Sequence, residues 1–254
     1  MKKLYKALAL MLALMLLFTA CSSPKTSGGN SNDQEEITRR PEKSERPEEE
    51  EKPSPEIGET TPQVGAKPTV DPNKKTYALG TWESDVYANA YLGIEITKPS
   101  NWAVITDEEL ANVMQLGADL LADKNAYLVE AAKQKNIYDM GLSKPEAGAS
   151  IMLMAENLSM SLGGTSIDEE AYIGILSAQL DQLTEIDYEV GEVTTITIGG
   201  EEYMGITATV AAYDLVQTYY VRRVDAYMVC FLCTHMGGDT QEVLDILAGI
   251  QATA

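Results

Sequence analysis

Hydrophobic and polar positions divide the chain into three stretches that follow different rules. From Ala7 to Phe18 every residue is apolar, whereas from Ser22 to Lys75 large aliphatic and aromatic side chains are almost absent. From Thr76 onward apolar residues return with the periods of two and three to four that mark strands and helices. Within this last stretch Tyr77–Trp82 and Tyr91–Thr97 are predicted as strands around a turn near Tyr87-Ala88-Asn89. A helix is predicted from Thr106-Asp107-Glu108-Glu109, where the Thr106 and Glu109 side chains can satisfy each other's free backbone N–H groups. Leu110, Val113, Met114, Leu120 and Leu121 continue it at helical spacing. Ile151–Met154 opens a second set of strands, and Ser166-Ile167-Asp168-Glu169 starts another capped helix carrying Tyr172, Ile175, Leu176 and Leu180. Two hairpins follow. One turns at Gly199-Gly200 between Tyr188–Ile198 and Tyr203–Tyr213; the other turns near Val224-Asp225-Ala226, between Thr218–Val221 and Tyr227–Thr234. A closing helix, opened by Asp239 or Thr240, carries Val243, Leu244, Leu247 and Ile250.

One strand determines the layering. In Tyr227-Met228-Val229-Cys230-Phe231-Leu232-Cys233 both alternate sets are apolar, so both faces of the strand require cover. Successive hairpins make the sheet mainly antiparallel. The expected class is therefore α+β, a three-layer α/β/α sandwich with helices on both faces of the sheet.

The N-terminal stretch is an address. Lys2, Lys3 and Lys6 precede the apolar run and small residues follow it, the layout of a secretory signal. The run is about a dozen residues, and crossing a bilayer as a helix takes about 20. Its end, Phe18-Thr19-Ala20-Cys21, resembles the lipobox of bacterial lipoproteins, with Phe18 in place of the usual Leu. The resemblance implies that the Cys21 thiol is joined to diacylglycerol, that the chain is cut before Cys21, and that the new amino group is acylated, with palmitate among the acyl chains. Two or three acyl chains anchor stably, since each buried methylene contributes about 0.8 kcal/mol. The expected organisation is thus a signal peptide over 1–20, a lipidated Cys21 with a disordered Pro/Glu-rich tether over 21–75, and a folded domain over 76–254. A tether of that length reaches roughly 40 Å as a flexible coil, and proline and charge extend it.

Charge narrows the partners. The folded stretch holds 27 Asp and Glu against 7 Lys and Arg, a difference equal to the whole net charge of −20. Such a surface repels polyphosphate, which argues against nucleic acid.

With the elements laid out, the order GTWESDVYANAYLGIEITKPSNW, long helix, strand, capped helix, two hairpins and closing helix resembles the PsbP-like domain of exported proteins and lipoproteins. Tyr87, Asn89, Gly93, Pro99 and Trp102 match its Tyr-x-Asn-x-x-x-Gly and Pro-x-x-Trp spacing. The resemblance implies a binding or assembly module and carries over no catalytic residue.

Chemistry-bearing motifs are few. Cys230-Phe231-Leu232-Cys233 has redox spacing, but redox pairs place the first Cys at a helix N-terminus, and here both fall in a strand. Residues three apart in a strand face opposite ways, so buried free thiols are expected. His235 is the single histidine, and with Cys233 it supplies too few ligands for a closed zinc site. Asp168-Glu169-Glu170, Glu185-Ile186-Asp187 and Glu201-Glu202 lack calcium-loop spacing. No catalytic, cofactor-binding or metal site is assigned, and the one site residue is Cys21. The sequence reads as a lipid-anchored protein of the extracytoplasmic membrane face. Its partners are the membrane, through Cys21, and a protein or wall polymer of the envelope. The alternative is a small envelope hydrolase using paired carboxylates brought together from distant positions. A transporter's substrate-capturing component is disfavoured, since about 180 residues is short for two lobes around a ligand. Limited proteolysis of the purified protein is expected to cut between Ser22 and Lys75 and leave a stable fragment starting near Thr76; protection of that tether would overturn the division.

Overall fold

A computed structural model describes residues 76–106, 108–110, 135–160, 164–181, 183, 187–237 and 240–253. The signal, Cys21, the tether and the Val113–Leu121 part of the first predicted helix lie outside the described residues. Strands β1 (Thr81–Glu83), β2 (Val86–Asn89), β3 (Ile94–Thr97) and β11 (Gln251–Ala252) make a small sheet in the order β1-β2-β3-β11. A seven-stranded sheet runs β4-β5-β6-β10-β9-β8-β7. Its strands are β4 (Ala103–Val104), β5 (Asn136–Lys144), β6 (Ala149–Asn157), β7 (Glu189–Ile198), β8 (Glu201–Val210), β9 (Leu215–Val224) and β10 (Tyr227–Met236). Every pairing in both sheets is antiparallel. Helices α1 (Glu169–Asp181) and α2 (Gln241–Ala248) complete the described elements apart from single 3-10 turns and the short helical stretch at Glu108–Leu110.

The strand apolar on both faces lies at the centre. On β10, Tyr227, Val229, Phe231 and Cys233 join one core, covered by α2 through Val243, Ile246 and Leu247 and by the small sheet through Tyr87, Ile94 and Ile96. Met228, Cys230 and Leu232 join a second core, covered by α1 through Tyr172, Ile173, Leu176 and Leu180. The three-layer α+β reading holds, with one addition: a small sheet shares the α2 layer. Burying a side chain such as Phe231 contributes roughly 1.5–3 kcal/mol, so each face has a reason to be covered.

Local chemistry explains the joints. Gly199 and Gly200 both take positive φ, 58° and 81°, as the two-residue turn between β7 and β8 demands. Asp225, at φ 54°, turns β9 into β10. The capping box forms: the Glu109 carboxylate accepts the Thr106 N–H at 2.9 Å and Thr106 Oγ1 accepts the Glu109 N–H at 3.2 Å. At α1 the cap is Asp168, which accepts the Ala171 N–H at 2.9 Å, and Glu169 reaches sideways to accept the Arg223 N–H at 2.7 Å. That strand N–H lies beyond the last β8–β9 pair, Met204–Val221, so tertiary context diverts Glu169 from the cap.

Two sequence expectations change. Tyr87-Ala88-Asn89 is not a turn but part of β2, with Tyr87 and Asn89 facing inward. The chain reverses instead at Ser84-Asp85, where Ser84 has φ 55°, and at Ala90–Gly93, where Gly93 has φ 67°. Strand β5, NIYDMGLSK, carries no alternation that marks a strand and was not expected. A register shift between Tyr138 and Met140 leaves Asp139 unpaired in the ladder and turns its carboxylate toward the small sheet.

That carboxylate explains why Asn89 is buried. It accepts the Tyr77 hydroxyl at 2.6 Å, the Gly80 N–H at 2.8 Å and the Asn89 amide at 2.6 Å, while Asn89 Oδ1 accepts the Leu92 N–H at 2.8 Å. Gly80 must be glycine for a steric reason, since a Cβ there would sit 2.3 Å from the Tyr87 ring. Asp139→Ala would strand three donors, so it is expected to lower the free energy of urea unfolding by about 3 kcal/mol. A loss below about 1 kcal/mol would show that the Asp139 hub does not hold the small sheet.

Candidate functional site

The candidate site grows from the last turns of β10. Cys233 and His235 are two residues apart and share a face. The register places Thr218 of β9 opposite Cys233 and Val216 opposite His235, and Thr207 of β8 opposite Thr218. The result is a row of small polar groups across three strands, with the Thr207 and Thr218 hydroxyls hydrogen-bonded at 3.0 Å. Thr240, Val243 and Leu244, from the start of α2, form the opposite wall. Together with Tyr220 these residues line a partly open cavity of about 190 Å³.

His235 is the chemically notable member. It is 5% exposed, and among the described residues its Nε2 has no hydrogen-bond partner. Nδ1 lies 3.4 Å from the Gly237 carbonyl oxygen, which only accepts, so that contact places the ring proton on Nδ1. In the neutral ring Nε2 is then a free acceptor in a buried position. Leaving such an atom unpaired is unfavourable by about 1–3 kcal/mol.

Cys233 lines the same cavity and Cys230 does not. Cys233 belongs to the core beneath α2, Cys230 to the core beneath α1, and both thiols are free and buried. Burial pushes both thiol pKa values up, Cys230 further raised by Cys233 and Glu156. The expectation of buried thiols on opposite faces holds. Among the described residues no three His, Cys, Asp or Glu side chains group as metal ligands.

The partly buried carboxylates are tied into the framework. Glu156 pairs with Lys135 in a buried ion pair and accepts the Tyr172 hydroxyl at 2.6 Å. Burial first, then Glu156, raises the Tyr172 pKa well above its ordinary value. Removing one member of such a buried pair typically costs about 3–5 kcal/mol, because the other charge is left uncompensated. Glu242, in the first turn of α2, accepts Lys144 Nζ at 2.7 Å, Asn101 Nδ2 at 2.9 Å and Trp102 Nε1 at 3.0 Å. Led by the Lys144 contact, these bonds lower its pKa from 4.5 to about 2. Of the acidic runs in the sequence, Asp168 is the α1 cap, Glu169 holds β9, and Glu201 pairs with Arg222 at 2.9 Å. Glu185 and Ile186 lie outside the described residues. Sequence reasoning missed Asp139, Glu156, Glu242 and the cavity threonines. Their partners lie as far as 141 residues away in the chain, as Asn101 does from Glu242, and no local pattern announces them.

No family model matches the chain, and no curated protein matches it. Two solved structures are similar in fold. One is the solution structure of cyanobacterial PsbP (CyanoP) from Synechocystis sp. PCC 6803, at 12% identity, covering 73% of this chain and 99% of that one, with a TM-score of 0.40. The other is LpqN, involved in cell envelope biogenesis of Mycobacterium tuberculosis, at 13% identity, covering 63% of this chain and 83% of that one, with a TM-score of 0.35. The α+β class stands on the strand order and packing of this chain, and neither likeness says what it binds.

Glu242 makes the α2 anchor pH-dependent. A carboxylate whose folded pKa lies below its unfolded value adds stability above about pH 4.5, and that stability is lost as pH falls toward about 2. Its side chain is 36% exposed, so solvent screening keeps the contribution near 1 kcal/mol or below. Glu242→Gln is therefore expected to lower the urea midpoint at pH 6, with the difference from the native chain shrinking toward zero near pH 2. A difference that stays constant across this range would show that the Lys144 contact carries no charge-dependent stability.

Proposed function

We propose that this protein is an exported, lipid-anchored module of the cell envelope whose folded domain binds a partner without catalysing a reaction. The observation that carries the reading is the order of the first 21 residues: a basic start, an apolar run too short to span a bilayer, and Ala20-Cys21 at its end. Among the described residues no helix is long and apolar enough to cross a membrane. In this reading lipid on Cys21 is the anchor, and the Pro/Glu-rich stretch after it is the tether.

Two features of the domain support binding over the carboxylate-hydrolase alternative. Hydrolysis by paired acids needs two carboxyl groups facing one cleft, one of them protonated. Among the described residues the cavity against α2 is lined by threonines, apolar side chains, Cys233 and His235, and by no carboxylate. Asp139, Glu156 and Glu242 are each engaged by two or three donors that hold elements of the fold together. The net charge of −20 suits a neutral or basic partner and disfavours an anionic polymer.

Cys21→Ser is expected to abolish incorporation of labelled palmitate in the native host and to release the protein from the membrane fraction. Unchanged labelling in that variant would remove the lipid anchor and with it the proposed location.

A further inference from the structure

We propose that the cavity between β8, β9, β10 and α2 is a binding site for a small neutral molecule that has a ring-sized apolar body and one hydroxyl or N–H group. The size comes first. A dry apolar cavity of about 150 Å³ accommodates benzene, and this one measures about 190 Å³. The lining is divided between a polar end and an apolar one. A water needs two to four polar partners, and at the end formed by Val216, Val243, Leu244 and the ring of Tyr220 it finds none, so that end suits an apolar body.

The polar end is defined by His235. With the ring proton on Nδ1 at the Gly237 carbonyl, the buried and unpartnered Nε2 accepts a hydrogen bond, so the ligand must donate one. The Thr207–Thr218 hydroxyl pair lies on the same wall and can accept from, or donate to, the oxygen of a bound hydroxyl. Charge excludes the ionic classes. Among the described residues no Lys or Arg lines the cavity to pair an anion, and no Asp or Glu lines it to pair a buried cation. Burying an unpaired ion is far more unfavourable than burying a hydrogen-bonded hydroxyl. Cys233, its thiol held protonated by burial, adds polarizable apolar surface.

This inference rests on the reading of the domain as a binding module and names a ligand class for it. Because His235 is the single histidine, its imidazole is a clean reporter. The purified full-length chain in detergent, with ¹⁵N-labelled imidazole, is titrated with phenol while long-range ¹H–¹⁵N spectra follow both ring nitrogens. Phenol is expected to shift the Nε2 resonance saturably, with the Nδ1 proton in place throughout. Toluene, equal in size but lacking the hydroxyl, is expected to bind at least about tenfold more weakly, a difference of about 1.4 kcal/mol. Leu244→Trp, which fills the cavity, is expected to abolish the phenol response. Should that variant fail to fold, the phenol-to-toluene comparison on the native chain decides alone. No saturable shift, equal affinity for toluene, or preference for benzoate over phenol would each overturn the proposal. A chain that loses palmitate in Cys21→Ser yet ignores phenol would lose the pocket and keep the anchored module. A chain that binds phenol but is never acylated would do the reverse.

Discussion

Strand β10 is apolar on both faces, and that single requirement organises the domain. A sheet with one wet face can stand on one layer of cover, but a centre built of Val229 and Phe231 on one side and Met228 and Leu232 on the other cannot. The chain meets the demand asymmetrically. Helix α1 covers one face, while α2 and a four-stranded sheet divide the other. The seam between α2 and the strand row of Thr207, Thr218 and Cys233 is where packing leaves space. The cavity lies between α2 and the strands it covers, and His235 stands at its polar edge.

Polar contacts fasten these covers. Asp139 holds the small sheet through Tyr77, Gly80 and Asn89, and Glu242 holds the start of α2 to Lys144 and Trp102. Glu156, paired with Lys135, lies on the α1 side and accepts Tyr172 of that helix. Each carboxylate acts where an element must be located rather than merely covered, because hydrogen bonds have direction and apolar contact does not. In a domain so rich in acid, charges bound in this way are also charges that do not repel one another freely. The cavity against α2 differs in character, with hydroxyls, an imidazole nitrogen and a thiol beside aliphatic walls.

Much of this was legible in the residues. Both hairpins, the Thr106–Glu109 capping box, the two described helices and the double-faced strand follow from short-range patterns, since backbone turns, caps and alternation depend on neighbours only a few positions apart. The buried, separated thiols follow from the same alternation. Strand β5 was not legible: its Asn, Asp, Gly and Ser side chains belong to a strand only because β6 supplies the ladder and a bulge redirects Asp139. Asn89 looked like a turn residue because asparagine so often is one, and its buried place depends on a carboxylate 50 positions away.

The sequence by itself determined the periodic elements and the need for cover on both sides of the sheet, and it is the whole basis for the proposed address at Cys21, because each is a property of adjacent residues and their exposure to water or lipid. Only the tertiary structure decided which acids would hold the layers together and that Thr207, Thr218, Cys233, His235 and the first turns of α2 would line one cavity. Those groupings depend on strand register and on how the layers meet, which emerge from contacts between segments distant along the chain.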